Sequence, residues 1–231
     1  MAPSVALVIH RCQSVSSTQD EARRWVEAGV ARAGHVIVAD EQADGRGRHG
    51  RVWLSPRGGL YATYVVSPHP QIAVVAGLAV HRSLHQFGAR AALKWPNDLL
   101  IEGRKLAGIL IESLETEKLV LVGVGVNLEE APLETAISLR AAGGNVGRGE
   151  LVAAIGRGLQ FLATEEDLLC EYRAALSTLG ESVRIDLGEN RSPIEGTATD
   201  VDSNGRLIVR TIDGDHVVSA GDCIHLRSEA G

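Results

Sequence analysis

The sequence has 231 residues, a formal net charge of −6 at pH 7, and 45% hydrophobic residues. These values are typical of a soluble globular protein, and the acidic balance argues against a dedicated nucleic-acid-binding protein, which would present a broad basic surface. The longest apolar run, residues 72–80, is too short to span a bilayer, so no membrane association is expected. Cys12, Cys170 and Cys223 are scattered without a CxxC pair, which favours reduced thiols in the cytoplasm over a disulfide framework.

The first half of the chain alternates between predicted strands and helices. Residues 5–9 predict a short strand. Thr18 and Glu21 have the spacing of a capping box, and Gly29 is a typical helix stop, so a helix is predicted between them. Apolar and β-branched content predicts strands at 36–39 and 60–66 and an amphipathic helix over 72–87.

A basic loop joins two of these predicted strands, where residues 45–51 read Gly-Arg-Gly-Arg-His-Gly-Arg. Arg46, Arg48 and Arg51 each carry a planar fork of donors that suits carboxylate or phosphate oxygens. The glycines between them permit close backbone approach to the same anion. The pattern therefore predicts an anion-binding loop that orders around its ligand, and the alternative is a solvated basic loop. Trp53, just beyond it, is either a core residue or a cover for a ring-bearing ligand.

A second candidate stretch reads Lys-Trp-Pro-Asn-Asp over residues 94–98. Only three lysines stand beside twenty arginines in the chain, so the position of each lysine is informative. One interpretation is a plain Pro-Asn-Asp turn. The other is that Lys94 and Asp98 hold a phosphate and its Mg²⁺, because magnesium prefers carboxylate oxygen.

Residues 101–112 and 119–127 predict two consecutive strands joined by a charged turn. Lys105 opens the first strand and Asn127 closes the second. In an antiparallel pair these two positions fall at the same end, so both side chains are predicted to face one site.

The last third of the chain has a different pattern of predicted elements. Apolar faces predict helices over 151–162 and 168–176. From residue 181, short β runs alternate with the hairpin signals Asn204-Gly205 and Asp213-Gly214. The sequence thus predicts an α/β domain over residues 1–180 and a small β-barrel-like domain over residues 181–231.

Four separated stretches together resemble the biotin–protein ligase (biotin–[acetyl-CoA-carboxylase] ligase) family. They are Ser17-Thr18-Gln19, QADGRGRHGRVW at 42–53, KWPNDLLIEGRKLAG at 94–108, and Gly-x-Gly-x-Asn at 123–127. The resemblance implies an α/β (α+β) fold: a mixed, largely antiparallel sheet flanked by helices, like class II synthetases, with a C-terminal SH3-like β-barrel. It resembles the monofunctional form, which lacks the N-terminal helix-turn-helix repressor domain, and no DNA binding is expected.

The resemblance also implies an adenylate-forming reaction in two steps. The carboxylate of biotin attacks the α-phosphate of Mg·ATP to give biotinyl-5′-AMP and pyrophosphate, and a lysine of biotin carboxyl carrier protein then attacks that anhydride. A homodimer is possible, because members of the family dimerise.

The resemblance implies roles for individual residues. The implied biotin-binding residues are Ser17, Thr18, Gln19, Gln42, Arg46, Gly47, Arg48 and Lys105. The implied ATP-binding residues are Arg48, Arg51, Trp53, Lys94, Asn97, Asp98 and Asn127, with Asp98 also a candidate Mg²⁺ ligand. Lys105, Arg48 and Arg46 are the implied catalytic residues. Gln19 departs from the asparagine common at its position, which puts its direct contact in question.

Two other functions compete with this one. A lipoate- or octanoate-protein ligase or transferase shares the fold, but its arginine–glycine loop differs and the Lys-Trp-Pro-Asn-Asp stretch favours biotin. A non-catalytic RNA-binding module built on the basic loop is disfavoured, because such binding usually relies on basic disordered segments.

Overall fold

The computed structural model of the chain describes residues 6–188 and 191–226. The larger of its two sheets contains β1 (Val8–Val15), β2 (His35–Gln42), β3 (Leu60–Val66), β4 (Ala92–Lys94), β5 (Asp98–Ile101), β6 (Arg104–Leu114) and β7 (Leu119–Val126). Their spatial order is β1-β2-β3-β7-β6-β5-β4. β1 and β2 pair in parallel and every other described neighbouring pair is antiparallel. The predicted mixed, largely antiparallel sheet is therefore confirmed.

Helices cover both faces of this sheet. They are α1 (Thr18–Glu27), α2 (Ile72–Gln86), α3 (Arg148–Leu162) and α4 (Leu169–Ala175). Successive residues of β2 point to opposite faces: Ile37 packs with the small cluster under α1, whereas Val36 and Val38 pack into the main core with α2 and α3. Within the described residues, no helix combines the length and the apolar character needed to cross a bilayer.

A second sheet follows α4 and is antiparallel throughout. It contains β8 (Ser182–Asp186), β9 (Ile194–Val201), β10 (Leu207–Thr211), β11 (Gly214–Val218) and β12 (Asp222–His225), in the order β11-β10-β9-β8-β12. We call it the C-terminal module. Its buried Val183 and Ile185 belong to the same apolar cluster as the main core. The Trp95 indole nitrogen donates to the carbonyl of Gly205 across this boundary at 3.1 Å, so the module is packed tightly onto the larger sheet.

Three local predictions need correction. The first strand is Val8–Val15 and not residues 5–9, of which residue 5 lies outside the described residues. β1 is an edge strand with little burial, so it lacks the apolar run that signals a buried strand. The cap of α1 is Ser17 and not Thr18, which leaves the Thr18 hydroxyl free for other partners. The turn in the Lys-Trp-Pro-Asn-Asp stretch covers Trp95–Asn97 and not Pro-Asn-Asp at 96–98. Asp98 is instead the first residue of β5, which pairs with β4 as a hairpin.

Candidate active site

A cleft of about 350 Å³ opens between the larger sheet and the C-terminal module. Segments that are far apart in sequence line it: the start of α1, the end of β2, the basic loop, the β4–β5 hairpin, the middle of β6 and β7, and the start of β12. Most of the residues singled out from the sequence meet here. They are Ser17, Thr18, Gln19, Gln42, Arg46, Gly47, Arg48, Arg51, Trp53, Lys94, Asn97, Asp98 and Lys105.

One side of the cleft, which we call the neutral wall, consists of Ser17, Thr18, Gln19 and Gln42. Ser17 caps α1 by accepting a hydrogen bond from the Gln19 amide at 3.2 Å. The Gln42 Oε1 accepts from the Thr18 amide at 2.8 Å and from the Thr18 hydroxyl at 3.1 Å. Ser17, Thr18 and Gln19 are only 2%, 5% and 3% exposed. The neutral wall is therefore a fixed array of small polar groups at a helix N-terminus.

The other side, the cationic wall, consists of Arg46, Arg48, Arg51, Lys94 and Lys105. These five positive charges border a single cleft in an acidic protein. Such a concentration of charge is costly unless anions balance it. Four of these cations have a carboxylate or carbonyl partner within the protein: Arg46, Arg48, Arg51 and Lys105.

Lys105 and Arg48 are held by the β4–β5 hairpin and the C-terminal module. The Lys105 Nζ lies 2.6 Å from the Asp98 Oδ1, as an ion pair that lacks the alignment of a good hydrogen bond. Arg48 Nη1 donates to the carbonyl of Gly221 at 3.2 Å and lies 3.4 Å from the Asn97 Oδ1. Burial lowers the pKa of the Arg48 guanidinium, and the carboxylates of Asp222 and Asp98 oppose that shift. Arg48 stays protonated at neutral pH, because arginine does not titrate there.

Arg46 and Arg51 are held by carboxylates from three other elements. Arg46 Nη2 lies 2.5 Å from the Asp20 Oδ1, in the first turn of α1, and 3.7 Å from the Glu112 Oε1. Arg51 pairs with Asp222 at the start of β12. The basic loop is thus tied to α1 on one side and to the C-terminal module on the other.

Trp53 lies on the floor of the cleft, where β6 and β7 carry glycines. Gly108 and Gly125 are partners across these strands. A Cβ on Gly125 would come within 2.5 Å of the indole ring, and one on Gly108 within 3.1 Å, so only glycine admits the tryptophan. The Lys105 ammonium sits 5.2 Å from the ring centroid, a cation–π contact. Nothing in the described part of the chain accepts a hydrogen bond from the buried Trp53 Nε1.

Asn127 does not take the position predicted for it. It lies at the same end of the strand pair as Lys105, as expected, but it is 4% exposed and is not among the described residues that line the cleft. Its amide donates to the carbonyls of Lys105 at 3.2 Å and Ile137 at 3.3 Å. In this arrangement Asn127 secures the backbone behind Lys105, and the prediction that both side chains face one site is wrong.

Sequence reasoning missed several residues that line the cleft. They are Tyr61 of the larger sheet, together with Asp186, Asp222, Cys223 and Ile224 of the C-terminal module. The Tyr61 hydroxyl donates to the Pro56 carbonyl at 2.7 Å, and burial raises the pKa of Tyr61 to about 12, so it remains a neutral phenol. The sequence carries no local signal for the module residues, because only the tertiary fold brings β12 to the cleft.

The two walls together suit a ligand with a neutral polar ring and an anionic end. The neutral wall offers hydroxyl and amide groups in fixed positions, and the cationic wall offers guanidinium and ammonium groups that stabilise developing negative charge. Phosphoryl or acyl-phosphate chemistry requires such a charge concentration, because one anion must approach another.

The described residues contain no group of three or more histidine, cysteine or acidic side chains arranged to hold a metal ion. Asp98 faces the cleft but is paired with Lys105. This fits Mg²⁺ only as an ion that arrives with a polyphosphate, since magnesium commonly takes one protein carboxylate and completes its shell with phosphate oxygens and water.

Comparison with known proteins agrees with this fold. Residues 12–129 match the Biotin/lipoate A/B protein ligase family, and residues 178–226 match the Biotin protein ligase C terminal domain. The chain belongs to the biotin/lipoate A/B protein ligase family, in its biotin protein ligase branch.

Individual relatives are similar over nearly the whole chain. A biotin–[acetyl-CoA-carboxylase] ligase of Mycobacterium tuberculosis is 34% identical over 91% of this chain and 86% of its own length. One from Paracoccus denitrificans is 33% identical over 80% of this chain and 88% of its own length. The structure of biotin protein ligase from Aquifex aeolicus in complex with biotin and ATP superposes with a TM-score of 0.81 at 28% identity, covering 96% of this chain and 99% of that one.

Proposed function

We propose that this chain is a biotin–protein ligase. It attaches biotin to a specific lysine of biotin carboxyl carrier protein, using ATP and forming biotinyl-5′-AMP with release of pyrophosphate. The observation that carries the proposal is the cleft itself, where a neutral wall of hydroxyl and amide groups faces five cationic side chains. The named relatives and the biotin- and ATP-bound structural neighbour support it.

In the first step, we assign the neutral wall to the ureido ring of biotin. Ser17, Thr18 and Gln42 then supply its hydrogen-bond partners, and Gln19 holds the wall from behind. Arg46 and Arg48 orient the biotin carboxylate toward the α-phosphate of ATP. Attack by a carboxylate oxygen forms the acyl-phosphate bond and breaks the bond to the pyrophosphate leaving group. Lys105 stabilises the charge at this junction when it exchanges its partner Asp98 for the phosphate.

Arg51, Lys94, Asn97 and Asp98 are assigned to the phosphates of ATP, and Trp53 to its nucleoside. Mg²⁺ bound with ATP would be held in part by Asp98, and it would supply neutralisation of the phosphate charge. These residues act mainly by positioning and by charge, which are the main contributions of proteins to phosphoryl transfer.

In the second step, the carrier lysine enters the open side of the cleft as the neutral amine. Its nitrogen attacks the acyl carbon of biotinyl-AMP, the bond to the phosphate oxygen breaks, and AMP leaves with the electron pair. The ammonium proton is lost to solvent. Arg48, half-buried and bonded to the module, retains the adenylate until this transfer occurs.

We also place the reaction in the cytoplasm, because Cys12, Cys170 and Cys223 are all free thiols. We also propose a domain boundary between residues 180 and 181 and the formation of a homodimer. Limited proteolysis tests the first, and sedimentation at several protein concentrations tests the second.

Pyrophosphate release tests the adenylation step directly. We expect release from ATP that depends on biotin and saturates with it, and no comparable release with lipoate or octanoate. Equal or greater release with lipoate would assign the chain to the lipoate branch of the family. Pyrophosphate release that did not depend on biotin, lipoate or octanoate would refute the assignment of an adenylation step.

A further inference from the structure

A chain of hydrogen bonds runs behind the neutral wall, through two residues that are not among those described as lining the cleft: Thr63 on β3 and Ser55 beyond the basic loop. Thr63 Oγ1 lies 2.9 Å from Thr18 Oγ1, which lies 3.1 Å from Gln42 Oε1. Gln42 Nε2 lies 2.8 Å from Ser55 Oγ, and Ser55 Oγ lies 2.9 Å from the Trp53 carbonyl oxygen. Thr63 is 0% exposed and Ser55 6% exposed, so bulk water does not reach these two hydroxyl groups.

The last member of this chain, the Trp53 carbonyl, determines the directions of the bonds as far as the Gln42 amide. A carbonyl oxygen only accepts, so the Ser55 hydroxyl must donate to the carbonyl of Trp53. Ser55 must then accept from Gln42, which turns the Nε2 of that amide toward Ser55 and its Oε1 toward Thr18. The backbone N–H of Thr18 independently requires the same orientation, because it donates to that Oε1 at 2.8 Å.

The consequence for Thr18 is specific. The single Thr63 proton is donated either to Thr18 Oγ1 or to the Gln19 Oε1 at 3.1 Å, so the Thr18 proton goes to Gln42 Oε1 or to Thr63 Oγ1. In both cases the Thr18 proton is used within the protein and one of its lone pairs remains. The remaining lone pair can only accept, so Thr18 offers an acceptor to a ligand N–H. Ser17 is the opposite case: its Oγ accepts from the Gln19 amide, and its own proton remains available for a ligand carbonyl.

Two glycines leave room for this chain of hydrogen bonds. A Cβ on Gly45 would lie 2.5 Å from Ser55 Oγ and 2.9 Å from Gln42 Nε2. A Cβ on Gly123 would lie 2.6 Å from the Gln19 Oε1, to which the Thr63 hydroxyl also comes within 3.1 Å. Close approach of the backbone is therefore needed on both sides of the neutral wall.

We propose that Thr63 and Ser55 are positioning residues of the biotin site, which polarise Thr18 and Gln42 so that the neutral wall accepts an N–H and donates to an adjacent carbonyl. This arrangement recognises a cyclic urea, in which N–H and C=O are neighbours. The inference rests on the proposed function and assigns two residues outside the cleft lining to substrate recognition.

The test compares Thr63→Val with Thr63→Ser. Valine preserves the shape of threonine and removes the hydroxyl, whereas serine keeps the hydroxyl. By calorimetry with biotin alone, we expect Thr63→Val to raise the biotin dissociation constant ~3- to 10-fold, as for one lost buried hydrogen bond, and Thr63→Ser to stay within about twofold of wild type. At saturating biotin, kcat and the KM for ATP should be unchanged in both variants.

Ser55→Ala is a second, independent variant, because it removes the group that fixes the Gln42 amide. We expect a similar loss of biotin affinity. Its control is Ser83→Ala, which removes an equally buried hydroxyl that bonds only to a helix carbonyl, that of Ala79, away from the cleft. The control should bind biotin as tightly as wild type.

The outcomes separate the two proposals. If the wild type does not bind biotin, the proposed function fails before any variant is compared, and the inference falls with it. If the wild type binds biotin but Thr63→Val and Thr63→Ser bind it equally, the inference alone is wrong. Parallel changes in kcat, in the KM for ATP and in biotin affinity would indicate a merely structural role and would also overturn it.

Discussion

The two walls of the cleft are built in different ways. Three of the four residues of the neutral wall, Ser17, Thr18 and Gln19, are buried, and the groups of this wall bond to one another and to the sheet behind them. The cationic wall is more open: the Arg51 side chain, for example, is 67% exposed. Its counterions come from four elements, with Asp20 on α1, Glu112 on β6, Asp98 at the hairpin and Asp222 on the C-terminal module.

This difference separates two tasks. Hydrogen bonds in a buried, fixed array discriminate between ligands, because any unmatched polar group there is costly. Exposed ion pairs contribute little stability and exchange readily, so a polyphosphate can replace the protein carboxylates at small cost. We infer that the neutral wall selects the acid and that the cationic wall receives the nucleotide by exchange of counterions.

The largest expected effect concerns the cationic wall. Lys105→Ala removes a charge that is most needed as the acyl phosphate forms, and we expect the adenylation rate to fall ~10²- to 10³-fold, as for other preorganised charge-stabilising groups. The KM for ATP should change far less. The matched control is Arg104→Ala, the neighbouring cation, whose partner Glu102 is exposed. Single-turnover measurement of biotinyl-AMP checks this, and an unchanged rate would refute the assignment of Lys105.

The next effect concerns the neutral wall. Gly45→Ala would force a methyl group against Ser55 and Gln42. Displacing these side chains misplaces up to two buried hydrogen-bonding groups of the biotin site, at ~0.5–1.5 kcal/mol each, so we expect biotin affinity to fall ~5- to 100-fold. Gly147→Ala is the control, because a Cβ there meets nothing within 4 Å. If Gly45→Ala bound biotin with wild-type affinity, the chain of hydrogen bonds behind the neutral wall would not be needed for recognition.

Asp222→Asn tests the exchange of counterions. If Asp222 competes with the triphosphate for Arg51, its neutral replacement should lower the KM for ATP ~2- to 5-fold, in the range of an exposed ion pair, and leave biotin affinity unaltered. Asp215→Asn is the control, since it breaks an exposed pair with Arg210 in the same module. A higher KM for ATP in Asp222→Asn would mean that the pair preorganises the loop for ATP.

The smallest effect concerns the ion pair of Arg173 with Asp200, which ties α4 to the C-terminal module. A hydrogen bond from Arg173 lowers the pKa of Asp200 below its ordinary value. The stabilisation is therefore present above the ordinary aspartate pKa and is lost as the pH falls through the lowered value. We expect Asp200→Asn to reduce the free energy of unfolding by less than ~1 kcal/mol at pH 7, and the difference from wild type to shrink below about pH 4. Urea denaturation at pH 7 and pH 3 measures this, and a constant difference would contradict the assignment.

Local signals in the sequence predicted most of the fold. The apolar periodicity of residues 72–87 and the turn signals Asn204-Gly205 and Asp213-Gly214 led to α2 and to the hairpins of the C-terminal module. The basic loop and the Lys-Trp-Pro-Asn-Asp stretch were recognisable because their residues are close together in the sequence. The prediction that the loop orders only around its ligand stays a prediction.

Residues brought together by tertiary structure were beyond prediction. Asp222 meets Arg51 across 171 positions of sequence, and no local pattern encodes that pairing. Asn127 was misplaced because strand register identifies which end of a strand a residue occupies but not what its side chain meets there. Thr63 lies in a buried strand, where a threonine with a structural role looks the same in sequence as one that supports a site.

The most direct test of the central claim is the transfer of biotin to a carrier. The chain is incubated with biotin, Mg·ATP and an isolated biotin carboxyl carrier domain, and the intact mass of the carrier is measured. We predict a single addition of one biotinyl group that requires ATP and disappears when the acceptor lysine of the carrier is replaced by arginine. A carrier mass that stays unchanged under these conditions, or an addition that survives the arginine replacement, would contradict the account.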